Sequence, residues 1–291
     1  MGVYYFFNER VFDEDGWKSK SLIVENGKFT RRLIDKGAAK EMETKQFWVG
    51  PGKVYLDIEE PVYQQASPEM TIKKFIYRGC TLLLCQLQIY SHSDYKRRFF
   101  SFQDQLADFP IDYMIVPRVP LSQLRPDMVR FFGRQKVPFI LAVPHVGLEW
   151  DAVKWEWIQQ AQSLTKIPLF LLSTTNRNSR QLSVHWNGID PKLDITVVEQ
   201  KDLALPLPKK LLRKTGISPY KGEILPHASA DYNLFLLKEI QSIDEPSNFR
   251  YHKAIPEVTV AKGKVIKVNH VVKCLEGNGV YNHVSIPGHF V

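Results

Sequence analysis

Along the first 50 residues apolar and polar positions alternate in short runs, VYYFF (3–7) and then WKSKSLIVENGKFTRRLI (17–34), with Asn26-Gly27 between β-branched and aromatic residues. Alternation with period two predicts strands, and the Asn-Gly step predicts a tight hairpin, because both residues accept the left-handed backbone that such a turn needs. From Pro51 the rhythm changes. Apolar runs VYLDI (54–58), TLLLCQLQI (81–89), YMIVPRVPL (113–121), PFILAVPHV (138–146), PLFLLST (168–174) and ITVVEQ (195–200) recur, several of them separated by helix-like stretches. The clearest of these stretches are SPEMTIKKFIYRG (67–79), LRPDMVRFFGRQK (124–136) and WDAVKWEWIQQAQSL (150–164), the first with Ser67 as N-cap and Pro68 at the first helical position. Strands apolar on both faces, alternating with helices, predict a parallel sheet covered by helices, open or closed into a barrel. Beyond Leu205 a short helix, PKKLLRKTG, ends at Gly216, and strands return as ADYNLFLL (230–237) and VTVAKGKVIKVNHVVKC (258–274), turning at Lys262-Gly263. The expected organisation is a β unit made from 1–50 and 208–291 around an α/β middle, 51–207.

At 291 residues and 44% hydrophobic composition the chain has ample apolar content for a large core. The net charge of +8 arises from 39 basic residues interleaved with 31 acidic ones. The densest basic clusters, YKRRFF (95–100) and KKLLRK (209–214), are short and match no nucleic-acid motif, so solvated faces are expected there and no nucleic-acid partner. Cys80, Cys85 and Cys274 form an odd set read as reduced structural thiols, and the spacing of the first two along one strand predicts that they face opposite ways. MGVYYFFNERVF has charges too early for a secretory core and Phe6 spoils a myristoylation signal, while no apolar run reaches the ~20 residues of a membrane span. A soluble cytoplasmic protein is expected, with a homodimer as the default assembly.

Candidate chemistry begins in FWVGPGKVYLDIEEP (47–61). Alternation puts Tyr55, Asp57 and Glu59 on one strand face and Val54, Leu56 and Ile58 on the other; in a barrel the apolar set would pack on the helices and leave the polar set inward, near the C-terminal mouth. Two neighbouring carboxylates repel and call for a cation, a proton or a basic partner such as Arg118. As ligands they favour a hard ion, Mg²⁺, Mn²⁺ or Ca²⁺, over zinc. His145, where a strand turns over toward a helix with Glu149 and Asp151 following, is the histidine best placed to complete such a set or to act as a general base. Each has a structural alternative: carboxylates solvated or ion-paired at a strand end, and a loop histidine with Asp151 as a helix N-cap. His92, in YSHSDYK, follows the second of the apolar strands and is a further mouth candidate. Nucleophile elbows, phosphate-binding loops, dinucleotide fingerprints and zinc-protease spacings are all absent.

Four stretches carry a resemblance to the amidohydrolase superfamily, in its dihydroorotase and dihydropyrimidinase branch. SLIVENGKFTRRL (21–33) resembles that family's Val-Glu-(Asp/Asn)-Gly-Lys-Ile hairpin, and GPGKVYLDIEE (50–60) its Pro-Gly-x-x-Asp-x-His-x-His first barrel strand. TGISPYKGEILPHASADYNLFLL (215–237) resembles its return to the sandwich, with His227 in the place of a turn glycine, and VTVAKGKVIKVN followed by SIPGHFV its closing strands. The resemblance implies a composite β-sandwich built from both chain ends, flanking a (β/α) TIM-like barrel that holds one or two metal ions. Here the paired metal histidines fall on Asp57 and Glu59, and PFILAVPHV carries no lysine to bridge two metals. Roughly 155 residues separate Pro51 from Leu205, against about 250 in a full barrel, so a truncated or degenerate barrel is expected.

The implied activity is hydrolysis of a C–N bond other than a peptide bond, in a cyclic amide or related small molecule, strongly altered or lost. Asp57 and His145 are the catalytic candidates. Asp57, Glu59 and His145 would ligate one divalent ion (Mg, Mn or Zn), with a metal-free site as the other reading. A catalytically inactive homologue serving binding or assembly is the second functional reading.

Overall fold

Two sheets share the chain, which the computed structural model describes over residues 3–13, 16–32, 39–65, 68–144, 153–173, 194–236, 253–273, 277 and 279–284. The first sheet takes strands from both ends: β1 (Tyr4–Asp13), β2 (Gly16–Glu25), β3 (Lys28–Thr30), β4 (Lys40–Glu41) and β5 (Phe47–Pro51), then β12 (Tyr232–Leu236), β13 (Val258–Ala261), β14 (Lys264–Val268) and β15 (Val271–Val272). They run in the order β15-β14-β13-β12-β5-β1-β2-β3, with β4 beside β1. The two expected hairpin turns are present: Asn26-Gly27 (φ 50° and 76°) joins β2 to β3, and Lys262-Gly263 (φ 50° and 72°) joins β13 to β14. Each places two successive left-handed residues where the strand twist requires them. Beyond β3, the Phe29 N–H donates to the Ala228 carbonyl and the His227 N–H to the Phe29 carbonyl, tying this edge to the segment that leads into β12.

The second sheet is a curled parallel half-barrel, β6 (Lys53–Leu56), β7 (Cys80–Gln88), β8 (Asp112–Pro120), β9 (Ile140–Val143), β10 (Leu169–Ser173) and β11 (Ile195–Glu199), each strand paired with the next in sequence order. Helices α1 (Pro68–Tyr77), α2 (Tyr95–Gln105), α3 (Pro126–Arg134) and α4 (Trp155–Thr165) cover its outer face. They bury residues three and four apart, Ile72, Phe75 and Ile76 on α1, Phe99 and Phe102 on α2, Met128 and Phe132 on α3. Each such side chain, fully buried, contributes roughly 1.5–3 kcal/mol. Helix α2 contains the YKRRFF cluster: Lys96 and Arg97 are exposed, while Tyr95 and Phe99 are core. Ser67, the expected cap of α1, lies outside the described residues.

Opposite the helices, the concave face is filled rather than open. A single turn, α5 (Gln200–Leu203), α6 (Lys209–Thr215) and the residues that flank α6 supply Leu203, Leu207, Leu212 and Ile217 to a core with Val54, Leu56, Leu82, Leu84, Phe139 and Phe170. The Leu207 N–H donates to the Val54 carbonyl at 2.9 Å, so the segment between α5 and α6 caps the free edge of β6. This packing reverses the expected orientation of β6. Val54, Leu56 and Ile58 face the concave core, and Tyr55 faces the helices, its ring 5.6 Å from that of Phe75. An interior filled by leucines selects the apolar set that an open polar mouth would have excluded.

Cys80 and Cys85 depart from expectation in a related way. Both are buried free thiols in the helix-side core. The register slips between Lys53↔Cys80 and Val54↔Leu82, and the extra residue in β7 undoes the simple alternation between the two cysteines.

The sheets meet at Gly52. A Cβ there would lie 2.2 Å from Thr81 Oγ1 and 2.8 Å from Asp231 Cβ, so only glycine lets β5 pass into β6 this closely. Nearby, the Lys221 ammonium, 5% exposed, joins the sheets: it is 2.7 Å from Asp112 Oδ2 at the start of β8 and 2.5 Å from Asp231 Oδ2 before β12. Among the described residues no helix is long and apolar enough to cross a membrane.

Candidate functional site

The C-terminal ends of β6, β7 and β8 carry polar side chains: Asp57, Gln86 and Arg118. Asp57, one residue beyond β6, is fully buried, and both its oxygens are engaged: Oδ1 accepts the Gln86 N–H and Oδ2 the Val62 N–H, each at 2.8 Å. Gln86 Nε2 donates to the Asp57 carbonyl at 2.6 Å, and Gln86 Oε1 accepts from Arg118 Nη1 at 3.0 Å. Asp57, Gln86 and Arg118 thus tie together the ends of β6, β7 and β8. Burial pushes the Asp57 carboxyl up to about 7, against the hydrogen bonds from Val62 and Gln86 that pull it down. Near neutrality this is a carboxyl poised between its two forms, anchoring a strand end.

Glu59 is exposed in the bend that follows, and Glu60 is paired with Lys74 at 2.9 Å. His145, Glu149 and Asp151 lie outside the described residues; in sequence they follow β9. Among the described residues no group of three or more His, Cys, Asp or Glu is arranged to hold a metal ion. Asp57 turns neither oxygen toward solvent, so the described residues by themselves do not fit the ion the family resemblance implies.

The described mouth does hold a histidine. His92 Nε2 is 2.8 Å from Asp127 Oδ2, which also accepts the Tyr95 hydroxyl at 3.0 Å. His92 comes from the loop after β7 and Asp127 from the first turn of α3 after β8, so the pair sits on the strand-to-helix side where barrel sites are built. Partial burial raises the Asp127 carboxyl, but the hydrogen bonds from His92 and Tyr95 outweigh it and hold the group below its ordinary value. The carboxylate orients the ring through Nε2 and leaves Nδ1 as the nitrogen available for proton transfer. Beside this end a groove of about 670 Å³ opens between the turn Val62–Gln64 and α2, lined by Gln64, Gln88, Tyr90, Asp94, Arg97 and Arg98. Sequence reading passed over Gln86, Gln88 and Asp127. The glutamines left a signal, as two large polar side chains at alternate positions ending an apolar strand; Asp127 left none, since its partner is 35 positions away.

No family model matches the chain, and no curated protein sequence does. Solved structures do. An L-hydantoinase (dihydropyrimidinase) from Arthrobacter aurescens aligns over 97% of this chain and 99% of its own, with 11% identity and a TM-score of 0.62. The two chains share a fold. A D-hydantoinase (dihydropyrimidinase) from Thermus sp. aligns over 99% of this chain and 100% of its own, also at 11% identity and a TM-score of 0.62. A triazine hydrolase variant follows at 10% identity, 94% and 97% coverage and a TM-score of 0.57. At such identities a fold shared with these hydrolases is what the likenesses establish, and the chemistry has to be argued from the residues of this chain.

Proposed function

We propose that the protein is an amidohydrolase-type hydrolase of altered site chemistry, opening a C–N bond of a cyclic amide or related small molecule. The observation that supports this reading is the likeness of fold to hydantoinases along nearly the whole of both chains. In the reaction water adds to the carbonyl carbon, the C–N bond breaks, and the nitrogen leaves with a proton. On the C-terminal face Arg118 would hold the carbonyl oxygen, and His92, oriented by Asp127, would take the proton from water and return it to nitrogen. Asp57 would hold the ends of β6 and β7 in place without touching substrate. A divalent ion on Asp57, Glu59 and His145 would be the other source of activated water, and would require Asp57 to give up its hydrogen bonds from Gln86 and Val62; the assay below decides between the two.

The test is ring opening of hydantoin and dihydrouracil, followed by absorbance and chromatography, on protein purified without chelators and again after chelation. Turnover that survives chelation and falls in both Arg118→Ala and His92→Asn supports the scheme. Turnover that vanishes on chelation and in His145→Ala restores the metal reading. Absence of turnover with either substrate, with and without Mn²⁺ or Zn²⁺, overturns the hydrolase assignment for this substrate class.

A further inference from the structure

A second cleft lies at the other end of the half-barrel. It has a volume of about 440 Å³, and its lining comes from both sheets: the β2–β3 and β13–β14 hairpin tips, the start of β8, and the segments around 216–229 and 282–283. Asp112, which lies at this cleft, is six residues before Arg118 on β8, about 20 Å along the strand. The cleft is therefore separate from the candidate active site and does not depend on the reaction proposed for it.

The acceptor groups on its floor and directly behind it are occupied. Asp112 Oδ2 is 2.7 Å from Lys221, and Asp112 Oδ1 accepts from the Lys262 ammonium and from the Val280 N–H. Asp231 Oδ2 is taken by Lys221, and Oδ1 by the Ser229 hydroxyl at 2.7 Å and the Lys262 N–H at 2.7 Å. Two carboxylates are thus matched by two lysines, and neither offers an oxygen to a guest. What faces outward on the rim is donor-rich: Lys28, His227 and His283 are exposed around the opening. His283 keeps its Nδ1 within 3.2 Å of the Gln135 carbonyl, so that contact does not use Nε2. Behind the rim, Met114 and Ile217 give the cleft an apolar wall continuous with the concave core.

The φ of His227 is +70°, in the left-handed region that favours glycine. Glycine would satisfy this turn more easily, so the histidine side chain can be removed there without straining the backbone.

We propose that this cleft binds a small organic oxyanion, a phosphate or a carboxylate, with its charged end between Lys28 and the two histidines and its apolar body against Met114 and Ile217. Because the floor is the ion network that joins the two sheets, a bound anion also braces that joint.

The test is calorimetric titration of the full-length protein at low ionic strength with inorganic phosphate, phenyl phosphate, benzoate and, as a neutral control, phenol. Phenyl phosphate or benzoate should bind more tightly than inorganic phosphate and much more tightly than phenol, and the stronger of the two says which oxyanion the cleft prefers. Lys28→Gln and His227→Gly should each weaken binding about tenfold, the usual cost of one charge-assisted contact. His227→Gly should at the same time keep or raise the melting temperature, so that lost binding is not lost folding. Absence of binding by every anion at about 10 mM, equal binding of phenol, or affinity unchanged in both variants overturns the proposal.

Discussion

Asp57→Asn separates the electrostatic role of this carboxyl from its role as an acceptor. The folded carboxyl keeps its proton to about pH 7, whereas its ordinary value is 3.8. Between those limits the folded state binds more protons than the unfolded state, so stability falls as pH rises. The contribution of Asp57 is complete below about pH 4, declines through neutrality and is flat above about pH 8. The rise corresponds to roughly 4 kcal/mol between the two ends of the window. Asparagine has no charge to bury, and its oxygen still accepts one of the two N–H groups, but its amide nitrogen faces the other donor, an opposing cost of about 1–3 kcal/mol at every pH. Urea unfolding of both proteins from pH 4 to pH 9 isolates the effect. The variant should be the weaker protein at pH 4–5, and the gap should close and reverse toward pH 8. A difference between the two that stays constant across this range would refute the assignment of a strongly raised carboxyl at position 57.

Other outcomes follow from the same packing. Lys221→Met leaves Asp112 and Asp231 with too little positive charge between them and should cost about 3–5 kcal/mol in chemical unfolding. Gly52→Ala should cost about 1–3 kcal/mol, and Thr81→Ala, which removes the two Thr81 atoms a new methyl would strike, should recover part of it in the double variant. Leu212→Ala opens a cavity in the concave core and should cost about 2–5 kcal/mol. In a Cys274→Ser background no thiol should react quickly with a disulfide reagent until the protein is denatured, because Cys80 and Cys85 are buried and burial pushes the Cys80 thiol up to about 12.

Local features of this fold were readable in the residues; of the long-range ones, the meeting of both chain ends in one sheet was expected and the packing inside the half-barrel was not. Asn26-Gly27 and Lys262-Gly263 announce their turns because the conformation is a property of the two residues themselves. The run from Leu82 to Leu84 announces a strand buried on both faces for the same reason. Which face of β6 points inward depended on α5 and α6, some 150 residues further along, filling the concavity. Helix α2 was obscured because YKRRFF reads as a charged patch until Tyr95, Phe99 and Phe102 are seen to share its buried face. At the candidate site, alternation could place Asp57 at a strand end, but it could not show that Gln86 and Val62 would occupy both of its oxygens.

The pairing of β5 with β12 bears on how the chain is made. Phe47–Pro51 has one neighbour, β1, from residues already synthesised, and its other neighbour, Tyr232–Leu236, is about 180 residues later. At ~5–20 residues per second a ribosome takes on the order of 10–40 s to deliver that partner. Throughout that interval the backbone donors and acceptors on one side of β5, beside the apolar Trp48 and Val49, form an open strand edge able to pair with another nascent chain. Production of this protein should therefore respond to translation speed and to chaperone supply more strongly than its finished stability would suggest.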